Sequence, residues 1–218
     1  MKNETVNFFE SNKLTVSLRA FPSDTLLYTA EALINGGITS IETDFDSSDE
    51  KSEKASVQKI AALKKCFGKD IKVGAGMVRT DRQVRYAKGA GADFITAPNV
   101  VKEVLERAGL VSVVSVAGAF TATEIENATA FGADFVGLFP SKIGGNYDYA
   151  ALIYETFPEV KFVGTGNLDF ADIAPLSKIG ITRFIIGGSL ANRTLAEKRE
   201  FGIITNEAKR YIDLISQL

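Results

Sequence analysis

Histidine and tryptophan are absent from this chain of 218 residues, and cysteine occurs once, as Cys66. Without histidine, Ser-His-Asp and Cys-His nucleophiles are excluded, together with His-ligated zinc and iron sites. Acid–base work must fall to carboxylates, lysines, tyrosines or water. A single cysteine excludes an internal disulfide and fits a reducing compartment. No apolar run approaches the ~18 residues that would suggest a membrane span. The opening segment MKNETVNFFESNK has neither the apolar stretch nor the small-residue cleavage site of a secretory signal, so a cytoplasmic location is expected. An excess of one charge is missing as well. Lysine and arginine number 25 against 27 acidic residues, a net of −2, which leaves no electrostatic footprint for nucleic acid.

Linkers are also lacking, so residues 1–218 are expected to form one domain. The polar run Asp44–Glu53 reads as a loop entering a helix. What the chain does contain is a recurring unit: short apolar segments alternate with amphipathic stretches, the pattern of βα repeats around a parallel sheet. Eight strands are expected at 14–19, 38–43, 71–74, 93–97, 111–116, 134–139, 161–164 and 183–187. Glycines stand where helices should end before strands, at Gly36-Gly37, Gly89/Gly91, Gly132 and Gly180. GAGADFITAP (89–98) and AFGADFVGLFP (130–140) are near copies of one helix–glycine–strand unit. Eight even units favour a closed (β/α)₈ TIM barrel of the α/β class over an open doubly wound sheet, with an N-terminal helix capping the barrel.

In such a barrel the active site lies at the C-terminal strand ends. Strand seven ends in Gly164-Thr165-Gly166-Asn167 and strand eight in Gly187-Gly188-Ser189, each followed by a helical stretch. Loops after these two strands are the fold's usual phosphate cradle, where bare N–H groups and a helix N-terminus face the anion. The plainer reading is a pair of tight turns. On strand two, alternation directs Ser40, Glu42 and Asp44 inward, and on strand one Ser17 and Arg19. A carboxylate and a guanidinium near a low-dielectric mouth are costly unless paired or used. An Arg19–Glu42 ion pair is the structural alternative to a functional role. Gly76 after strand three and Pro98 after strand four complete the candidate ligand contacts.

Together these strand ends resemble the 2-keto-3-deoxy-6-phosphogluconate (KDPG) aldolase family, which includes 4-hydroxy-2-oxoglutarate aldolases. The resemblance runs from about Leu14 to Asn192. It is carried by Val16–Ala20, Gly36–Thr43, Gly74–Val78, Ala92–Pro98, Gly137–Pro140, Val160–Gly166 and Gly187–Ser189. It implies a homotrimeric lyase that cleaves a phosphorylated or dicarboxylic 2-oxo acid to pyruvate or glyoxylate plus an aldehyde or oxo acid. No metal or cofactor is implied. It further implies a lysine Schiff base, a strand-two glutamate (Glu42) moving protons, Arg19 orienting a carboxylate, and phosphate held at Thr165, Gly166, Asn167, Gly187, Gly188 and Ser189. The chain departs from the pattern at the lysine, whose position three before the strand-six Phe-Pro is Gly137. Met77 stands where the family has threonine, and Asp46 where many members carry a basic residue. Two lysines are candidates to replace the missing one: Lys142 in the following loop, taken as the default nucleophile, and Lys72 on strand three. The alternative is a phosphosugar-binding barrel without Schiff-base chemistry, either an isomerase or epimerase or a non-catalytic binder.

Overall fold

The computed structural model describes residues 2–218. The strands are β1 (Leu14–Ser17), β2 (Ser40–Asp44), β3 (Lys72–Gly76), β4 (Phe94–Ala97), β5 (Val114–Ala119), β6 (Phe135–Leu138), β7 (Phe162–Gly164) and β8 (Phe184–Ile186). They pair in parallel in sequence order, and β8 closes on β1 through Leu14↔Phe184, Thr15↔Ile185 and Val16↔Ile186. The structure is the expected (β/α)₈ barrel. Expected and observed strands overlap in every case. The largest slip is at β5, because helix α5 (Lys102–Leu110) caps at Val111 and Ser112 turns the chain with φ +55° before the strand can begin.

The expected helix-ending glycines act as such: Gly37, Gly91, Gly132 and Gly180 all have positive φ. In the two near-copied units an aspartate follows the glycine, and both serve one purpose. Asp93 accepts from Val73 N at 2.8 Å, and Asp134 accepts from Ser115 N at 2.9 Å. Each carboxylate thus ties the start of its strand to the strand before.

Apolar side chains divide into two layers. Those facing outward, such as Val16, Ile41, Ile95 and Val136, pack beneath the helices. Inside the barrel lie Phe94, Val114, Val116, Phe135 and Val163. The N-terminal helix α1 (Lys2–Ser11) closes the bottom with Phe9, whose ring stands 4.7 Å from Phe94 and 5.6 Å from Phe135. Helix α1 buries only Thr5 and Phe9 among its own residues, so Phe9 is its anchor. Lys72 lies at this closed end, beside Glu4 at 3.9 Å and over the Phe8 ring. Aromatic rings thus fill the bottom of the barrel among the described residues.

Candidate active site

A cavity of about 370 Å³ opens at the C-terminal strand ends, the position the fold assigns to an active site. Ser17, Arg19, Glu42, Asp44, Thr96 and Gly137 line its deeper and β2-facing parts, and Thr165, Gly166, Asn167, Gly187 and Gly188 line the opposite side. Pro98, Met77, Val116 and Phe139 complete much of the wall.

Glu42 is the buried functional group. Only 4% of it is exposed, and its Oε2 accepts a hydrogen bond from Thr96 Oγ1 at 2.9 Å. Burial, and next the nearby Asp44 carboxylate, push its pKa up to about 8, against the opposing hydrogen bonds of Thr96 and Ser17. Asp44, two residues along the same face, is raised to about 6 by burial, with Arg19 pulling the other way. Gly76 makes room for the pair. A Cβ there would overlap Asp44 Oδ1 and lie 3.2 Å from Glu42 Oε1, so the two carboxylates converge on one point beside the β3 backbone. Gly76 therefore stands behind the carboxylates instead of on the cavity wall.

Arg19 is placed differently from the expectation. β1 ends at Ser17, and Ala20 with φ +55° turns the chain, so Arg19 sits on the rim with its side chain 68% exposed. Its Nε lies 3.5 Å from Asp44 Oδ2, and the ion pair is therefore with Asp44 and not with Glu42.

The opposite wall is built from backbone. Gly166 and Asn167 adopt φ +101° and +56° in succession. A Cβ on Gly166 would come within 2.8 Å of Pro140 Cα, so only glycine fits this turn. Ser141 holds the turn in place: Ser141 N donates to Thr165 O, Thr165 N donates to Ser141 Oγ, and Ser141 Oγ–H donates to Leu138 O at 2.6 Å. The amides of Gly166, Asn167, Gly188 and Ser189 donate to no backbone acceptor in these turns. Such amides suit an anion. The Ser189 side chain faces away, donating to Leu168 O at 2.8 Å and so joining the β7 and β8 loops. The helix after β7, α8 (Phe170–Ile179), does not offer its N-terminus as expected. The Asp169 and Asp172 carboxylates already cap it.

Lys142, the expected nucleophile, is not on the cavity wall. Its Nζ lies 2.7 and 2.8 Å from the two oxygens of Asp172, which is itself buried and also accepts from Tyr147 Oη at 2.6 Å and Asp169 N at 2.7 Å. Asp172 raises the Lys142 pKa, which keeps the amine protonated and non-nucleophilic. Burial pushes Asp172 up, but the bonds from Lys142, Tyr147 and Asp169 outweigh it and hold its pKa low. No lysine lines the cavity among the described residues. At Gly137 a Cβ would stand 3.3 Å from Thr165 Cγ2 and 3.5 Å from Val116 Cγ1, so a side chain there would enter the cavity after a small adjustment. Asp46, at the family's basic position, accepts from Ser48 N at 3.0 Å in its own loop. Thr96 was not among the residues singled out from sequence, although alternation from the buried Phe94 directs it inward.

The family model for KDPG and KHG aldolase matches residues 8–206. A 2-dehydro-3-deoxy-phosphogluconate aldolase of Treponema pallidum is 32% identical over 145 residues, 66% of this chain and 66% of that protein. A probable 2-dehydro-3-deoxy-6-phosphogalactonate aldolase of Rhizobium meliloti is 30% identical over 159 residues, 73% of this chain and 72% of the relative. The matched stretches thus span about two thirds or somewhat more of these relatives. Among solved structures, the KDPG aldolase of Legionella pneumophila, in which pyruvate is captured as a covalent carbinolamine, superposes with a TM-score of 0.79. That likeness covers 94% of this chain and 97% of the other at 20% identity, and it speaks for the fold. With the barrel, the strand-two glutamate and the glycine turns of β7 and β8 in place, the chain belongs to the KDPG and KHG aldolase family.

Proposed function

We propose that the cavity carries out an aldolase-type cleavage of a 2-oxo-3-deoxy sugar acid phosphate or of 4-hydroxy-2-oxoglutarate, releasing pyruvate or glyoxylate with an aldehyde or oxo acid. The observation that carries this reading is the buried Glu42 at one end of a cavity whose other end is a glycine-rich backbone cradle. Glu42, with its pKa raised to about 8, holds a proton at neutral pH and can give and recover it. Arg19 on the rim, beside Asp44 and largely exposed, is placed to meet a substrate carboxylate. The turns Thr165–Asn167 and Gly187–Ser189 hold the phosphate through backbone amides. The route uses no metal or cofactor. The test is to supply 2-keto-3-deoxy-6-phosphogluconate and 4-hydroxy-2-oxoglutarate and follow release of pyruvate or glyoxylate. Turnover of one, lost in Glu42→Gln with binding retained, is expected; no turnover of either overturns the substrate assignment.

Gly137 and the Lys142–Asp172 ion pair favour a second reading, a barrel that binds a phosphorylated metabolite without Schiff-base chemistry, as an isomerase, an epimerase or a binder. Turnover separates the two. Cleavage of either 2-oxo acid belongs to the first reading, and binding of a phosphorylated metabolite with no cleavage of either belongs to the second.

The chain is further read as a cytoplasmic homotrimer. Among the described residues no helix is long and apolar enough to cross a membrane. Leu110 and Leu152 on the outer helices are 75% and 60% exposed, apolar surface that an assembly would cover. Sedimentation equilibrium showing a monomer at micromolar concentration would remove the trimer.

A further inference from the structure

We infer that Asp44 is a second catalytic carboxylate and that, with Glu42, it cleaves the C3–C4 bond of a 2-oxo acid by acid–base chemistry alone, with no imine. The inference rests on the 2-oxo acid reading of the site and concerns how its electrons are accepted. Three observations support it. The wall where a lysine would enter carries Gly137, and no lysine lines the cavity among the described residues. The one lysine in the neighbouring loop is tied to a buried aspartate through both carboxylate oxygens. In place of an amine the cavity holds two carboxylates from one strand face, brought together over the bare backbone of Gly76.

A pair of acids in unlike surroundings can divide the two proton roles between them. Glu42 is the deeper, 4% exposed and held by Thr96, so burial favours its neutral, proton-donating form. Asp44 is nearer the rim, beside the Arg19 guanidinium, which favours its charged, proton-accepting form. Burial raises both carboxyls, Glu42 to about 8 and Asp44 to about 6, with Arg19 pulling Asp44 back the other way. Around neutral pH the first is an acid and the second a base. Among the described residues that line the cavity, one further charge faces them, that of Arg19, with the hydroxyls of Thr96 and Ser17 facing Glu42.

The step balances. Asp44 takes the proton of the C4 hydroxyl, and the C4–O electrons form the aldehyde carbonyl. The C3–C4 bond breaks, and its electron pair becomes the C2=C3 double bond. The carbonyl electrons move onto O2, which Glu42 protonates, giving the enol of pyruvate. After the aldehyde leaves, Asp44 returns its proton to C3 and Glu42 recovers its own from O2. Both carboxyls end as they began. The enol takes the place of the enamine that a lysine would provide, and a neutral carboxylic acid beside O2 takes the place of the iminium as electron sink.

The reverse of the last step, deprotonation of the pyruvate methyl by Asp44 with Glu42 on O2, needs no knowledge of the cleavage substrate. The deciding experiment places the full-length protein in D₂O with pyruvate and follows loss of the methyl proton signal by NMR. A parallel sample is treated with borohydride and weighed intact. The wild type is expected to exchange its methyl protons and to show no lysine adduct. Asp44→Asn and Glu42→Gln are expected to lose about 100-fold or more in exchange rate, with pyruvate KM changed little. The wild-type rate should follow a bell between about pH 6 and 8, and Asp44→Asn should lose its acidic limb. Should a variant fail to fold by circular dichroism, the wild-type profile and the adduct measurement still decide. No exchange, or exchange accompanied by a lysine adduct, overturns the inference. Exchange without an adduct, but with no cleavage of either 2-oxo acid substrate, upholds the pair and overturns only the substrate assignment.

Discussion

The segments 89–98 and 130–140 are one unit written twice, and the structure uses them alike up to a single position. In both, a positive-φ glycine releases the helix, at Gly91 and at Gly132. An aspartate then bonds the amide of the preceding strand, and a phenylalanine enters the barrel interior to meet Phe9. The next inward position differs. On β4 it is Thr96, whose hydroxyl holds Glu42; on β6 it is Gly137, which leaves the wall open. The comparison teaches that the frame is set by apolar and backbone chemistry, whereas the reaction is set by one side chain at a place the frame does not need.

The largest effect should come from filling that position. Gly137→Lys carries an amine into the cavity, and with pyruvate and borohydride it should give a stoichiometric adduct where the wild type gives none, read by intact mass. An absence of adduct in a folded variant would mean that the two units differ in more than this side chain. Next comes the anchor the two units share. Phe9→Ala leaves Phe94 and Phe135 without their common partner and should cost about 3–5 kcal/mol in urea unfolding. A loss under about 1 kcal/mol would show that α1 is not the barrel's floor.

The inner carboxylates give a pH signature. Glu42 and Asp44 bind protons more tightly folded than unfolded, so the stability they contribute is complete below the ordinary carboxylate range. It is lost as pH rises through about 6 and then about 8. Glu42→Gln should therefore be more stable than the wild type at pH 9 by a few kcal/mol, the gap closing towards pH 4. An equal gap at both values would remove burial as the cause. The smallest effects probe the equivalence itself. Asp93→Ala and Asp134→Ala each strand one strand amide and should each cost about 1–3 kcal/mol in thermal unfolding. Strongly unequal costs would break the parallel.

Much of the molecule was legible in its sequence because the signals are local. Alternation identified all eight strands and turned Glu42, Asp44 and Ser17 inward, and the glycines marked the helix ends. Gly137 was identified through the family resemblance, which sets the lysine three residues before the strand-six Phe-Pro. What escaped were contacts between distant segments. Asp172 lies thirty residues beyond Lys142 and gave no sign that it would occupy that amine. The partner of Arg19 was misplaced because the positive φ of Ala20, a non-glycine, is invisible in the sequence. The closed N-terminus of α8 is built from Asp169 and Asp172, a reciprocal cap that takes up the amides a phosphate would otherwise meet.

By itself, then, the sequence determined the barrel and the two glycine turns, which follow from backbone conformation and side-chain periodicity, and its family resemblance marked the loss of the lysine at Gly137. The tertiary structure alone decided which charges meet. Asp44 joins Glu42 over Gly76, Arg19 sits at the rim, and Lys142 is held away by Asp172. The physical reason is that electrostatic energy depends on distances across the barrel mouth and on burial, and neither is carried by the order of residues along the chain.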